Sequence, residues 1–238
     1  WLSSKARAVV DTGVNLSRQG DGAERFEPNT LARVLVRYSV VASNAVTSIL
    51  PGRVKNKIEA IENCDLKKNA SKIVFADGNI QSSIMIIGEG PGQKEDELGK
   101  PFVGDAGNLL NKMFKAINIE RDKIYITNVV NYRPPNNRKP ETNEINRYAE
   151  FLKEHISIID PKILILMGST AMEAILGSNK RISKERGIWK EVIIKKKSYK
   201  TIVTFHPAYL LRKPDQKKFS WEDLKIIRKE IDKLNIEI

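Results

Sequence analysis

Cysteine and long apolar runs are almost absent from this sequence of 238 residues. Its one cysteine, Cys64, cannot form a disulfide within the chain, so the sequence excludes a disulfide-rich secreted scaffold and favours a reducing compartment. The longest apolar runs, such as Ile84–Ile87 and Ile163–Met167, are far shorter than the roughly 20 residues of a membrane-spanning helix. No charged segment followed by an apolar core opens the sequence. These absences predict a soluble, cytoplasmic protein with no membrane partner.

Histidine is also scarce, and the short motifs of common hydrolases are missing. Neither G-x-S-x-G nor H-E-x-x-H occurs, and one cysteine cannot supply a metal-binding pair. Of the two histidines, His155 follows Lys153 and Glu154 in a predicted helix, which predicts a surface position. His206 ends a predicted strand and precedes Pro207, so it is the candidate for acid–base or hydrogen-bonding chemistry.

Positive charge predominates. The sequence has 41 Lys and Arg residues against 29 Asp and Glu residues, a net charge of +12. Such a balance favours binding to a polyanion such as nucleic acid, although basic soluble enzymes have it too. Arginine is the main basic residue up to residue 54, and lysine predominates afterwards. We interpret residues 1–54 as an N-terminal appendage or insertion, partly disordered, and residues 55–238 as the functional domain.

Residues 55–238 alternate between apolar strands and amphipathic helices. Four β-branched runs predict strands that are buried on both faces: Ile84–Ile87, Ile124–Val130, Ile163–Met167 and Thr201–Phe205. Helical patterns follow at Ala106–Ile117, Asn143–Ile159 and Ser169–Leu176, and a last helix is predicted from Ser220, where Asp223 completes a capping-box spacing. This alternation predicts an α/β fold, a three-layer α/β/α sandwich with a central four-stranded, mostly parallel sheet.

Unusual residues follow the predicted strands, at the sheet edge where α/β proteins bind ligands. The first strand leads into Gly88-Glu89-Gly90-Pro91-Gly92, which matches neither a dinucleotide fingerprint nor a P-loop. The glycines are those of a tight structural turn or of a loop that a ligand approaches closely. Glu89 favours the second reading, because it places a carboxylate beside the binding crevice.

Two further residues each leave two readings open. Phe102, between Pro101 and Gly104, is either a loop anchor in the core or a stacking platform for a planar ring. Asn128, inside the second apolar run, is either a structural amide or a group that reads the edge of a base.

Together these loops resemble a family. Four segments carry the resemblance, in this order: GEGPGQKEDELGKPFVGDAGNLL (88–110), YITNVVNYRPPNNRKP (125–140), PKILILMG (161–168) and FHPAYLLR (205–212). The sequence from about residue 58 to residue 231 is identified as a member of the uracil-DNA glycosylase superfamily, similar to its iron–sulfur type, family four. The resemblance implies a base-excision repair enzyme that hydrolyses the N-glycosidic bond of flipped-out uracil in DNA and leaves an abasic site.

The resemblance also implies roles for individual residues. Glu89 would activate or position the attacking water, and His206 would stabilise the departing uracil anion. Phe102 would stack on uracil, Asn128 would hydrogen-bond its edge, and the backbone at Gly88 and Gly90 would approach it closely. The DNA contacts implied are those of Arg138, Tyr209, Leu210, Leu211 and Arg212, with Tyr209, Leu210 and Leu211 as an apolar wedge. The expected partner is uracil-containing DNA, bound by a monomer.

The sequence departs from that family at the four cysteines that hold a four-iron cluster. Aligning Cys64 with the second of them places Ile61, Tyr132 and Tyr148 at the other three positions. One ligand of four cannot hold the cluster, so the sequence predicts no cofactor and no bound metal. Apolar packing of these side chains is expected to take the place of the cluster in joining the helix to the loop after the second strand.

Rival functions remain. A non-catalytic nucleic-acid-binding descendant of the same fold would not need Glu89, Asn128 and His206 together. A related branch links covalently to DNA through a histidine after the second strand, but residues 131–138 contain none. A hydrolase of free nucleotides would need carboxylates and a metal in a pattern that is missing here.

Overall fold

The structure is a computed structural model that describes residues 50–237, so the predictions for residues 1–49 lie outside the described range. A helix covers residues 50–59 (α1), and its Val54 and Ile58 are buried in the core. The boundary predicted between residues 54 and 55 therefore falls inside a helix that packs on the domain. Within the described range, no helix combines the length and apolarity that a bilayer span requires.

The elements alternate along the chain much as predicted. The other helices are Asp65–Asn69 (α2), Gln93–Leu98 (α3), Asp105–Lys115 (α4), Thr142–Ile159 (α5), Gly168–Leu176 (α6), Ile182–Glu185 (α7), Pro207–Arg212 (α8) and Lys217–Lys233 (α9). The strands are Ala76–Gly78 (β1), Ile84–Gly88 (β2), Tyr125–Asn128 (β3), Ile163–Met167 (β4), Lys190–Ile194 (β5) and Lys197–Thr204 (β6).

The sheet of the described residues has six strands, in the order β1-β3-β2-β4-β6-β5, where four were predicted. The four predicted strands form its parallel centre, in which Ile86 of β2 lies opposite Ile126 of β3 and Ile165 of β4. The two additional strands, β1 and β5, pair antiparallel at the edges. β1 has only three residues and β5 alternates exposed with more buried side chains, so neither shows the continuous apolar run of a central strand.

Helices cover both faces of the sheet, which confirms the three-layer α/β/α architecture. Because side chains alternate along a strand, Met85 and Ile87 join one apolar core, whereas Ile84 and Ile86 join the other. The first core includes residues of α1, α5 and α6. The second includes residues of α4 and α9. The central strands are thus packed on both faces, which holds their carboxyl ends in place. The loops that follow β2, β3, β4 and β6 begin at these ends.

Two local predictions were wrong. The last helix begins at Lys217, and Ser220 lies inside it; Asp223 is no capping residue but accepts hydrogen bonds from Arg186 and Thr204. His155 is 2% exposed, not a surface residue. Tertiary contacts account for its position, because its ring stacks on Phe75 at 4.5 Å and its Nε2 lies 2.8 Å from the Tyr125 hydroxyl.

Burial of His155 has a consequence for acid stability. Desolvation lowers its pKa from 6.5 to about 3, so between these values the unfolded chain binds a proton that the folded protein does not. The stabilisation is complete above pH 6.5 and is lost as the pH falls towards 3. We expect His155 to contribute a slope of about 1.2 kcal/mol per pH unit to the free energy of unfolding between pH 6 and 5, where the unfolded chain is mostly protonated at this residue.

Urea unfolding of the wild type and of His155→Gln at several pH values tests this expectation. Glutamine does not titrate, so the slope of the variant should be smaller by that amount, whatever its stability at neutral pH. Parallel slopes would contradict a neutral buried His155.

Candidate active site

The carboxyl ends of β2, β3, β4 and β6 meet at a cavity of about 610 Å³. Most of the site residues expected from the sequence line it: Glu89, Gly90, Phe102, Asn128, Arg138, His206, Tyr209 and Arg212. Gly88, Leu210 and Leu211 lie outside the lining. Loops that are far apart in the sequence therefore converge because parallel strands end at the same edge of the sheet.

Glu89 is the first residue after β2 and lines the cavity. Its Oε2 accepts a hydrogen bond of 2.5 Å from the hydroxyl of Thr170, a fully buried residue in the first turn of α6. Because β4 pairs with β2, the helix that follows β4 begins beside the loop that follows β2. Thr170 therefore fixes one oxygen of the carboxylate. The sequence does not reveal the role of Thr170, because its contact with Glu89 joins residues that are 81 positions apart.

Asn128 ends β3, and its buried side-chain oxygen has no hydrogen-bond partner in the protein. An unsatisfied buried acceptor is unfavourable unless a ligand donates to it. Gly88 lies directly opposite, and a Cβ there would come within 2.4 Å of Asn128 Oδ1 and 2.5 Å of the Phe102 ring. The absence of a side chain at Gly88 therefore allows Asn128 and Phe102 to pack against its backbone, and any larger residue there would displace both. The orphan oxygen favours a ligand-binding role for Asn128 over a structural one.

Phe102 contributes its ring to both the cavity wall and the core beneath it. Its backbone is left-handed, with φ of +53°, a conformation that costs a residue with a side chain roughly 1–2 kcal/mol. The next two backbone N–H groups, those of Val103 and Gly104, both donate to Glu95 Oε1. Glu95 and Asp96 are both buried, although three consecutive acidic residues, 95–97, are more typical of a solvated surface.

His206 follows β6 and caps the start of α8. Its Nδ1 accepts a hydrogen bond of 3.2 Å from the backbone N–H of Ala208, and its ring centroid lies 5.4 Å from that of Phe102. Desolvation, together with the positive charge of Arg212, lowers the pKa of His206 to about 4. A neutral imidazole that accepts at Nδ1 carries its proton on Nε2, so near neutral pH His206 is an uncharged hydrogen-bond donor.

The DNA-binding residues expected from the sequence differ in their accessibility. Leu210 is 1% exposed, so it cannot act in an apolar wedge; it lies on the buried side of α8, whereas Leu211 is 44% exposed. Tyr209 and Arg212 line the cavity. Arg138 also lines it, but both its Nη atoms are hydrogen-bonded to Glu144, at 2.7 and 2.8 Å.

A family profile agrees with this geometry. The uracil DNA glycosylase superfamily matches residues 75–226, a range that contains all the strand ends around the cavity. The chain belongs to the uracil-DNA glycosylase superfamily. A type-4 uracil-DNA glycosylase of Sulfurisphaera tokodaii is 40% identical over 184 residues, which are 74% of this chain and 82% of the relative.

Other curated members of the superfamily are similar to this chain. A type-4 uracil-DNA glycosylase of Thermotoga maritima is 40% identical over 67% of this chain and 82% of its own length. The type-4 enzyme of Archaeoglobus fulgidus is 35% identical over 73% of this chain and 89% of its own length. The likeness therefore extends over most of each relative, beyond the loops at the cavity.

The four residues that the sequence analysis aligns with the family's cluster cysteines belong to the first apolar core. Ile61, Cys64, Tyr132 and Tyr148 are all buried there, and Cys64 Sγ lies 3.4 Å from the Tyr148 hydroxyl. Isoleucine has no ligand atom, and phenols are not the thiolates that such clusters require. Within residues 50–237, no three His, Cys, Asp or Glu side chains are grouped to hold a metal. The residues at this place do not fit a four-iron cluster.

We expect protein purified without oxygen to be colourless, to lack absorbance near ~400 nm and to contain no stoichiometric iron.

The Tyr148→Ala variant should lose about 3–5 kcal/mol of unfolding free energy, because it leaves a cavity in a packed core. Cys64→Ser, the matched change on the other side of the same contact, should lose only about 1 kcal/mol. Thermal and urea unfolding of both variants measures the difference. Brown protein with four irons per chain would contradict the expectation.

Proposed function

We propose that this protein excises uracil from DNA by hydrolysing the N-glycosidic bond of an extruded nucleotide. The observation that carries the proposal is the meeting of three groups in one cavity: the Glu89 carboxylate, the unpartnered Asn128 oxygen and the neutral His206. Hydrolysis of this bond needs an activated water, recognition of the base and stabilisation of the leaving group. Each group suits one of these tasks. The family's curated members named above are uracil-DNA glycosylases.

Recognition of uracil rests on Phe102 and Asn128. The Phe102 ring provides a face on which a flipped base stacks. The unpartnered Oδ1 of Asn128 accepts from the N3–H of uracil, and its Nδ2 donates to O4. Cytosine has no hydrogen on N3 and carries an amino group in place of O4, so it mismatches both atoms. The pocket therefore favours uracil over cytosine.

Glu89 and His206 carry the chemical step. The Glu89 carboxylate, held at Oε2 by Thr170, orients a water towards C1′ and accepts its proton. The C1′–N1 bond breaks as the water oxygen bonds to C1′, and the electron pair leaves with uracil. His206 donates from Nε2 to uracil O2 and stabilises the developing anion without transferring its proton. The uracil anion then takes up at N1 one proton, equivalent to the one that Glu89 accepted, so the carboxylate is restored and the products are free uracil and an abasic site.

The rim of the cavity contacts DNA in this proposal. Tyr209 and the exposed Leu211, both on α8, enter the space that the extruded nucleotide leaves, and Arg212 contacts a phosphate. The net charge of +12 supports DNA binding and opposes self-association, so we infer that the protein acts as a monomer. The single cysteine suits a reducing compartment, and we infer that the protein acts in the cytoplasm. We also infer that it acts without a cluster or metal.

Incubation with an end-labelled oligonucleotide that contains a single uracil, followed by hot alkali, tests the proposal. Alkali cleaves the strand at an abasic site, so a product of defined length is expected from uracil-containing DNA. Matched oligonucleotides with thymine or cytosine at that position are the controls and should remain intact. Gel-shift binding without any cleavage would favour the non-catalytic DNA-binding descendant instead.

A further inference from the structure

The backbone around Phe102 is held by a charged side chain that lies outside the cavity lining. Arg121 belongs to the short helical turn Arg121–Lys123 that precedes β3. Its Nη2 donates to the carbonyl oxygen of Pro101 at 2.7 Å, and its Nη1 donates to that of Phe102 at 3.1 Å. The planar guanidinium of Arg121 therefore binds two successive backbone carbonyls, one of which belongs to Phe102 itself.

Arg121 is itself fixed from two further elements. Its Nε and Nη2 donate to Asp77 Oδ2 of β1 at 3.0 and 2.8 Å. Its Nη1 also donates to Asn111 Oδ1 of α4 at 3.1 Å. These contacts and the two carbonyls account for all five N–H groups of the guanidinium. The Arg121 guanidinium, held by Asp77 of β1, thus connects this edge strand with α4 and with residues 101–104, which we call the Phe102 segment.

The Phe102 segment needs such an anchor, because its conformation is not the one that its sequence prefers. Phe102 is left-handed, and on the other side of it Glu95 accepts from Val103 and Gly104. Gly107 of α4 packs so closely that a Cβ there would meet the Phe102 carbonyl oxygen at 2.0 Å. The ring position is therefore set by contacts on both sides of the segment.

We propose that Arg121 is a positioning residue for uracil recognition: it holds the strained Phe102 backbone so that the ring presents a preformed stacking face to the base. This inference rests on the proposed function of the site. Preformed geometry matters because a displacement of about 1 Å is enough to weaken binding and catalysis strongly. Arg121 touches no substrate and acts only through Phe102.

The test compares Arg121→Lys with a matched control, Arg147→Lys. Arg147 of α5 also donates to two successive carbonyls, those of Glu62 and Asn63, but outside the cavity lining. The readouts are the inhibition constant of free uracil, the KM and kcat for uracil-containing DNA, and the affinity for DNA with a preformed abasic site. Lysine has one ammonium in place of the fork, so it cannot hold both carbonyls and Asp77 together.

We expect Arg121→Lys to weaken free-uracil binding about tenfold and to raise KM, with abasic-DNA affinity unchanged. Arg147→Lys should leave uracil binding at the wild-type level. Asp77→Asn keeps the Arg121 guanidinium but removes the carboxylate that binds it, so it should weaken uracil binding about threefold. This variant provides the test if Arg121→Lys does not fold.

Uracil binding within twofold of the wild type in both Arg121→Lys and Asp77→Asn would overturn the inference. An equal loss in Arg147→Lys would overturn it too, since the effect would then be a general loss of stability. These outcomes differ from failure of the proposed function, in which the wild-type protein itself would excise no uracil.

Discussion

Replacement of Glu89 by glutamine is expected to lower the single-turnover rate of uracil excision by at least ~10²-fold, with little change in DNA affinity. Glutamine keeps the shape of the side chain and can still meet Thr170, but it cannot accept the proton of the attacking water. Glu97→Gln is the matched control, because Glu97 is an exposed carboxylate of the neighbouring helix α3.

His206→Ala should lower the same rate by a similar factor, since it removes the donor that faces the leaving group. Single-turnover measurements with enzyme in excess separate this chemical step from product release. If both Glu89→Gln and His206→Ala excised uracil at the wild-type rate, these two residues would not be the catalytic pair.

Asn128→Asp should abolish uracil excision, with a loss of at least ~10³-fold, because it replaces the amide donor by a second acceptor. Uracil O4 would then face an oxygen, whereas the amino group of cytosine would face an acceptor that it can use. A gain of cytosine excision is therefore expected alongside the loss on uracil. Competition between uracil- and cytosine-containing oligonucleotides measures the switch.

Asn79→Asp is the control for the added negative charge. Asn79 Oδ1 accepts from the backbone N–H of Gln81, a role that an aspartate oxygen retains, and Asn79 does not line the cavity. Selectivity unchanged in Asn128→Asp would assign that residue a structural role, with its orphan oxygen left unexplained.

The central strands and the site loops could be predicted because their physical causes are local. A parallel strand covered on both faces must be apolar throughout, so a run such as Ile163–Met167 is visible in the sequence. The rule that ligands bind at the carboxyl ends of such strands then selects Glu89, Asn128 and His206 without knowledge of any contact.

The features that could not be predicted depend on contacts between distant parts of the chain. His155 has charged neighbours in the sequence and is buried only because Phe75 and Tyr125 pack against it. Glu95 looks like one of several solvated acids until the loop at Val103 supplies two backbone donors. Leu210 shares an apolar motif with Leu211, and only the orientation of α8 separates the buried from the exposed side chain.

The position of β6 in the sheet has a consequence for the nascent chain. β4 is an entirely apolar strand whose second hydrogen-bonding edge is paired only by β6. During synthesis, 37 residues separate the end of β4 at Met167 from the end of β6 at Thr204, so at ~5–20 residues per second the ribosome needs about 2–7 s to supply the partner strand. Throughout that interval the edge of β4 is open to strands of other chains. The risk of aggregation is therefore concentrated in the interval between the synthesis of β4 and that of β6, when a chaperone that binds nascent chains would protect this protein most.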